Sequence, residues 1–108
     1  MTTYVRARIV RWVGDDFPGF VECRFADRLG REWVVIEKIP VLTKVDLRSD
    51  SPFPQPAFIA CDIVARGQDN AGREVVHITT KTPFGIESTD GQTNFQVHAD
   101  QIELGHPL

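Results

Sequence analysis

The sequence predicts an all-β fold: a small, single-domain antiparallel barrel of six to seven short strands. Apolar residues recur at every second position through most of the chain, which is the spacing of half-buried strands. These runs are short, are separated by Gly, Pro, Asn and Asp, and contain no convincing helix start. Because so few strands would leave exposed edges in an open sheet, we expect closure into a compact barrel of SH3-like or translation-factor-type shape.

Length and composition limit the class of protein. The 108 residues suit one domain, expected to span 1–108, and 42% hydrophobic with 25% charged residues is typical of soluble globular chains. No apolar run approaches the roughly 20 residues of a membrane-spanning helix. The N-terminus also lacks the pattern of a secretory signal. We therefore expect a cytoplasmic protein that does not bind membranes.

The first three predicted strands form a meander joined by two loops. One register pairs Val13 with Val21 and also places Ile9 opposite Phe25, so that the apolar side chains share one face. Arg11 is the one misfit in this register, which indicates a β-bulge or the end of the sheet at that point. The three strands are expected at Tyr4–Val13, Phe20–Ala26 and Glu32–Ile39.

The loop between the first two strands, GDDFPG, contains two adjacent carboxylates. We interpret Asp15 and Asp16 as turn residues whose side chains accept hydrogen bonds from nearby backbone N–H groups, while Pro18 and Gly19 shape the turn. The alternative is a divalent-cation site. Such a cation takes about six or more oxygen ligands, and two neighbouring Asp residues supply too few. The sequence therefore predicts no metal site here.

A long proline-containing loop is predicted at about 41–56, VLTKVDLRSDSPFPQP. Proline removes backbone donors and restricts the preceding residue, so this segment resists strand pairing. The third strand carries Val34 and Ile36 on its second face, and this surface needs cover. We expect the loop to act as the lid, because it is itself rich in apolar residues: Val41, Leu42, Val45, Leu47 and Phe53. The alternative is an exposed proline-rich recognition segment.

The second half of the chain predicts two strands followed by a hairpin. Asp90 and Gly91 suit the central positions of a two-residue type I′ turn, in a hairpin that pairs Ile86 with Phe95. The tail from residue 99 onward would either close the barrel with a further strand or form a single helical turn. The two strands before the hairpin are expected at Ala57–Arg66 and Arg73–Thr80.

The sequence contains no recognisable catalytic, phosphate-binding or metal-binding motif. Cys23 and Cys61 lie in apolar strand-like runs, so we expect buried, reduced thiols; a disulfide between them is the alternative that the sequence leaves open. His77 and His98 are isolated, without the spacing of a zinc site or the signature of a nucleophile and base. We therefore predict no catalytic residue, no metal and no cofactor, and a protein that is not an enzyme.

One set of side chains indicates a binding surface. On the face of the first three strands opposite the predicted core, arginine and aromatic residues line up with Val34 and Ile36, and arginine and aromatic residues dominate protein-interface hot spots. The alternative is that this face lies under the long loop, with the arginine stems covering its rim. The candidate partner-binding residues are Tyr4, Arg6, Arg8, Trp12 and Arg24.

From these observations we expect a non-enzymatic interaction module that binds a protein partner, of regulatory or immunity type. The alternative function is a single-stranded nucleic-acid binder that stacks bases on aromatic rings beside the arginines. A net charge of −3 and the lack of any Lys/Arg block disfavour this alternative, because attraction to phosphates scales with the number of cationic groups offered.

Overall fold

The chain folds into one curled antiparallel sheet with the outline of a half-barrel. The structure is a computed structural model that describes residues 1–105. It confirms the predicted all-β class and the predicted number of strands. Within this range the strands are β1 (Thr3–Gly14), β2 (Phe20–Ala26), β3 (Glu32–Lys38), β4 (Gln55–Gln68), β5 (Glu74–Thr79), β6 (Asn94–His98) and β7 (Ile102–Leu104). A short helix, α1 (Ile39–Leu42), follows β3, and a single 3-10 turn (Ala99–Gln101) precedes β7.

β1 is the central strand because it pairs with three others. One of its edges pairs with residues 55–61 of β4. Its other edge pairs with β7 over residues 3–5 and with β2 over residues 8–14. β4 continues beyond β1 and pairs with β5 through residues 62–68, so the strand order is β3-β2-β1-β4-β5-β6. The two long strands β1 and β4 therefore connect all parts of the sheet.

The two ends of the sheet approach each other through aromatic rings. Phe95 of β6 makes edge-to-face contacts with Phe25 of β2 and Trp33 of β3, at ring-centroid distances of 5.0 and 5.1 Å. The backbone N–H of Arg28, in the loop between β2 and β3, donates to the carbonyl of Gln96 at 2.8 Å. These contacts close the core between the first and last strands of the order without strand pairing.

The lid prediction is confirmed only in part, because side chains of the 41–56 segment pack into the core. Leu42 and Leu47 are buried in the core cluster, and Phe53 packs against it. The sequence did not predict α1, and β4 begins earlier than expected, so the irregular lid is confined to residues 43–54. The lid does not cover the second face of β3, where Ile36 remains 40% exposed.

The register between β1 and β2 differs from the predicted one. Ile9 lies opposite Cys23 rather than opposite Phe25, a difference of two residues along β2. The predicted irregularity at Arg11 is confirmed, because the pairing shifts between Ile9 and Arg11 and leaves Val10 as an extra residue. The predicted register assumed unbroken alternation along β1, which the bulge interrupts.

The bulge also reverses the faces of β1 beyond it. Trp12 pairs with Val21, a fully buried residue, and its side chain packs against the core. Val13, which the predicted register placed in the core, is exposed. The prediction that Trp12 shares a face with the arginines of β1 is therefore wrong. The physical reason is that one extra residue moves every later side chain to the opposite side of the sheet.

The predicted hairpin across Asp90 and Gly91 is also wrong. β6 pairs with β5, with Phe95 opposite Ile78, and residues 80–93 form the loop between these strands. Gly91 has a φ of 82°, but no residue other than glycine has a positive φ in the described chain, whereas a type I′ turn needs one at both central positions. Pairing with β5 aligns two apolar strands over the core, and local turn chemistry cannot match that burial.

Thr80 holds the loop that stands in place of this hairpin. Its buried hydroxyl donates to the carbonyl of Ile86 at 2.6 Å, and its backbone N–H donates to the carbonyl of Thr93 at 2.8 Å. Ile86 is buried in the core from this loop. Phe84 is on the surface, with 61% of its area exposed. The loop therefore anchors one apolar side chain and displays another.

The tail contains both of the features that the sequence predicted as alternatives. A 3-10 turn leads into β7, where Ile102 lies opposite Val5 of β1. The side-chain amide of Gln101 donates to the carbonyl of Ala26 at 2.8 Å and so attaches the turn to the end of β2. The predicted tail and the predicted domain extend to residue 108, and residues 106–108 lie outside the described residues.

Gly19 and Gly30 provide a matched test of packing in the loop after β1. Both have positive φ values, 103° and 82°, which cost an alanine about 1–2 kcal/mol. A Cβ at Gly19 would also lie 2.6 Å from Cη2 of Trp12, whereas a Cβ at Gly30 would meet nothing within 4 Å. Gly19→Ala should therefore lower the free energy of unfolding by at least about 1 kcal/mol more than Gly30→Ala, as measured by urea denaturation. Equal losses would contradict the packing of Trp12 against this loop.

Candidate functional site

The structure brings together the three predicted arginines on the outer face of the sheet. Arg8 and Arg24 are cross-strand neighbours on β1 and β2, and Arg6 is two residues from Arg8. Each guanidinium is paired with a carboxylate. Arg6 contacts Glu103 at 2.8 Å, Arg8 pairs with Glu32, and Arg24 contacts Glu22 at 2.7 Å. The positive charge of this face is therefore largely neutralised within the molecule.

We call these ion pairs, together with Arg11, the ionic cluster, and Glu22 is its one carboxylate that binds two arginines. It is only 5% exposed, and its two carboxylate oxygens accept hydrogen bonds from Nε of Arg24 and Nε of Arg11, at 2.7 and 2.8 Å. Burial acts to raise the pKa of Glu22, but the hydrogen bonds and charges of the two arginines outweigh it, so the pKa lies below its ordinary value. Glu22 therefore stays ionised and fixes both arginine heads against the sheet.

The two predicted aromatic residues differ in their relation to this cluster: Trp12 lies apart from it, whereas Tyr4 lies opposite Glu103, the ion-pair partner of Arg6. Trp12 packs against Gly19 on the other side of the bulge, and its indole N–H donates to Oδ1 of Asp15 at 2.7 Å. The side chain of Asp15 thus binds an indole rather than the backbone N–H that the sequence predicted. Tyr4 makes an edge-to-face contact with Phe58 of β4, with their ring centroids 6.4 Å apart. Four of the five predicted residues, Tyr4, Arg6, Arg8 and Arg24, therefore share the outer face of the sheet, and Trp12 alone lies apart from them.

Both of these aromatic residues border a series of adjoining cavities along the lid. The central cavity, about 470 Å³, lies between Phe17 and the lid segment that contains Val45. An open cavity on one side of it is bordered by Trp12 and shares Phe17 and Leu47 with it. A cleft of about 180 Å³ on the other side shares the backbone segment around Pro40 with it. We call this surface the apolar tract, and define it by Tyr4, Trp12, Phe17, Val45, Phe58 and Phe84.

The apolar tract displays large side chains that the core does not use. Phe17 is 96% exposed at the tip of the loop between β1 and β2, and Val45 is 49% exposed on the lid. With Phe84, they form a set of exposed apolar groups around cavities that share lining residues, an arrangement that marks interaction sites more than scattered apolar residues do. Sequence reasoning assigned Phe17 to a turn, Val45 to the lid core and Phe84 to a hairpin. The one available signal was a phenylalanine between Asp-Asp and Pro-Gly, where a simple turn requires no aromatic ring.

The two thiols carry no nucleophilic chemistry. Cys23 and Cys61 are buried, which confirms that prediction, and both are free. Burial raises the pKa of each thiol to about 12, with the charge of Asp62 adding to the effect at Cys61. A thiol with such a pKa is protonated at neutral pH, and the thiolate is the reactive form. Within residues 1–105, no three side chains of the metal-ligating types form a group that could hold an ion.

Glu22→Gln tests the ionic cluster through its pH dependence. A carboxylate whose pKa is lowered by folding stabilises the folded state above its unfolded pKa, near 4.5, and this contribution is lost as the pH falls through the folded pKa. We expect the variant to lower the free energy of unfolding by about 1–3 kcal/mol at pH 7, with a smaller difference near pH 3, measured by urea denaturation. Glu103→Gln, at an exposed pair, should cost less than about 1 kcal/mol. If Glu22→Gln lowers the free energy of unfolding by the same amount at every pH, Glu22 contributes to stability through packing alone.

Alkylation tests the burial of the two cysteines. Iodoacetamide should modify Cys23 and Cys61 at least about 100-fold more slowly in the native protein than in urea, because each thiol is both inaccessible and protonated. Mass spectrometry of timed samples gives the rate at each site. Rapid modification of either cysteine in the native protein would reveal an accessible thiolate and reopen a catalytic role for it.

Comparison with known proteins relates this chain to none of them. Within residues 1–105, no helix is long and apolar enough to cross a membrane. The structural case for a function therefore rests on the ionic cluster and the apolar tract. No protein-family model, no curated protein and no solved structure matches the chain.

Proposed function

We propose that this protein is a non-enzymatic interaction module of the cytoplasm that binds a protein partner through the apolar tract. One observation carries the proposal: Phe17 is 96% exposed beside cavities lined by Pro18, Ile39 and Leu47. Burying an exposed phenylalanine on association contributes up to about 1.5–3 kcal/mol, and aromatic anchors next to pockets account for much of the affinity of protein interfaces. The two reduced thiols support a cytoplasmic location.

The loop that carries Phe17 is held on both sides of the aromatic residue. The backbone N–H of Gly19 donates to the carbonyl of Asp16, and the indole of Trp12 donates to Asp15. The ring of Trp12 also packs directly against Gly19. A side chain presented by a constrained loop loses less conformational entropy on binding than one on a mobile loop. These contacts therefore fix the backbone on either side of Phe17.

The ionic cluster supports the proposal less well than the apolar tract does. Arg6, Arg8 and Arg24 are already paired with carboxylates of this chain, so an anionic ligand would have to compete with those carboxylates. Exposed ion pairs also add little net affinity. The nucleic-acid alternative needs cationic groups beside stacking rings. Trp12 and Trp33 both pack against the core. Tyr4 lies beside Arg6, but the guanidinium of Arg6 is already paired with Glu103, so little free positive charge is left beside a stacking ring and the alternative is the weaker one.

Phe17→Ser tests the proposed function, with Leu29→Ser as its matched control. Leu29 is also highly exposed in a loop, but it borders none of the cavities of the apolar tract. We expect a protein captured from nuclease-treated lysate of the source organism to be retained by the unmodified protein and by Leu29→Ser, and lost with Phe17→Ser. Binding of that protein in purified form should weaken at least about tenfold with Phe17→Ser and less than about twofold with Leu29→Ser.

Circular dichroism and urea denaturation of both variants give the necessary check on folding. A partner bound equally well by the unmodified protein and by folded Phe17→Ser would remove the apolar tract from the proposal. A partner lost with Arg8→Glu, and not with Phe17→Ser, would return the binding site to the ionic cluster.

A further inference from the structure

A separate cleft lies on the outer face of β4, β5 and β6. β5 turns Val76 and Ile78 into the core, so its alternate residues and their cross-strand neighbours point outward. The cleft has a volume of about 380 Å³ and shares no lining residue with the cavities of the apolar tract. Its floor consists of outward-facing residues of the three strands: Ala65, Gly67, Val75, His77 and Gln96.

The glycine in this floor is one that the strand itself does not require. Gly67 lies in the paired part of β4 and its φ is not in the left-handed region, while the bulge of β4 is at Val64. A Cβ at Gly67 would meet no atom of the described residues within 4 Å. Glycine weakens a strand interior and often marks a position that a ligand or another backbone approaches closely. Because neither conformation nor packing explains Gly67, its missing side chain indicates room kept for a ligand.

The charged side chains that line this cleft are those of two arginines and one aspartate. Arg66 is neutralised within the chain, because its guanidinium contacts the carboxylate of Glu74 at 3.3 Å. Arg28 forms no salt bridge with the described residues, and its Nε donates to Oε1 of Gln96 at 2.7 Å. One guanidinium without a carboxylate partner and one carboxylate, that of Asp69, therefore remain for a ligand.

Each of these two groups is held by one atom and presents another. The bond from Nε orients the guanidinium of Arg28, and its terminal nitrogens, Nη1 and Nη2, make no hydrogen bond to the described residues. Oδ1 of Asp69 accepts hydrogen bonds from the backbone N–H groups of Ala71 and Arg73, at 2.9 and 3.0 Å, which leaves Oδ2 for another donor. The N–H of Arg73 contributes most to lowering the pKa of Asp69, and the charges of His98 and Arg28 also lower it. Asp69 is therefore an anion close to a fixed cation.

We propose that this cleft binds a free α-amino acid, with its carboxylate at Arg28 and its ammonium group at Asp69. One cation and one anion close together are complementary to a zwitterion, whereas a ligand with a single charge is attracted by one group and repelled by the other. The terminal nitrogens of a guanidinium match a carboxylate in geometry. The cleft is at the small end of ligand-binding cavities, which span about 300–1,000 Å³. This inference goes beyond the proposed function and does not depend on it.

Titration of isotope-labelled protein with each of the common amino acids, followed by NMR, tests the inference. We expect at least one of them to shift the backbone N–H resonances of Gly67 and Gln96 in a saturable manner. Gly67→Val should weaken its binding at least about tenfold, because the valine side chain would occupy the floor of the cleft. Gly14→Val is the matched control and should leave binding unchanged. Gly14 is also a strand glycine with open space around its missing Cβ, but it lines none of the cavities described above.

Charge variants and ligand analogues test the two assigned contacts. Arg28→Gln and Asp69→Asn should each weaken binding at least about tenfold, because each removes a charge-assisted hydrogen bond. Asp69→Asn keeps the side-chain oxygen that holds the turn. Arg73→Gln removes an arginine that pairs with Asp100 outside the cleft and should leave binding unchanged. Analogues of the bound amino acid that lack the amino group or the carboxyl group should each bind at least about tenfold more weakly.

Several results would overturn the inference. It fails if no amino acid shifts these resonances, or if the bound one tolerates Gly67→Val while circular dichroism shows the variant to be folded. Equal binding of the analogue without the amino group would make the cleft a site for simple carboxylates. Equal binding of the analogue without the carboxyl group would make it a site for amines. None of these results bears on the capture of a protein partner through Phe17.

Discussion

The extra residue at Val10 in β1 is the constraint on which the arrangement of both candidate surfaces depends. Before the bulge, β1 turns Val5 and Ile9 toward the core and its arginines outward; beyond it, Trp12 turns toward the core. The bulge therefore keeps the ionic cluster and the loop of Phe17 on different parts of the molecule, although both are built from one strand. Bulges commonly redirect a side chain in this way next to functional surfaces.

The ionic cluster and the apolar tract differ in what they leave available to a ligand. The outer face of β1 and β2 would otherwise present cations at close spacing, and Glu22 neutralises part of that charge as a carboxylate whose pKa the two arginines lower. This arrangement stabilises the sheet and leaves little charge for a ligand. The apolar tract instead leaves the rings of Phe17 and Phe84 largely exposed, on two loops beside the lid.

The sequence predicted the features that depend on local pattern. Alternation placed the strands, the prolines marked the lid, and the apolar surroundings of Cys23 and Cys61 indicated their burial. The register of β1 and β2 was misjudged because a bulge changes pairing without changing composition. The hairpin at Asp90 failed because β5, more distant in sequence, is the better partner for β6. The apolar tract was missed because residues from five separate segments form it, and no local pattern relates Phe17 to Phe84.

The pairing of β1 with β7 has a kinetic consequence. Thr3 lies opposite Leu104, so this part of the sheet forms only when segments from near the two ends of the described chain meet. Closing so long a loop costs entropy before any contact compensates for it, and folds dominated by such distant contacts form slowly. Until β7 is in place, the edge of β1 at residues 3–5 offers unpaired N–H and C=O groups, which makes the incomplete sheet a template for association between chains. The short strand β7, only three residues long, therefore removes an edge that would otherwise stay open to association between chains.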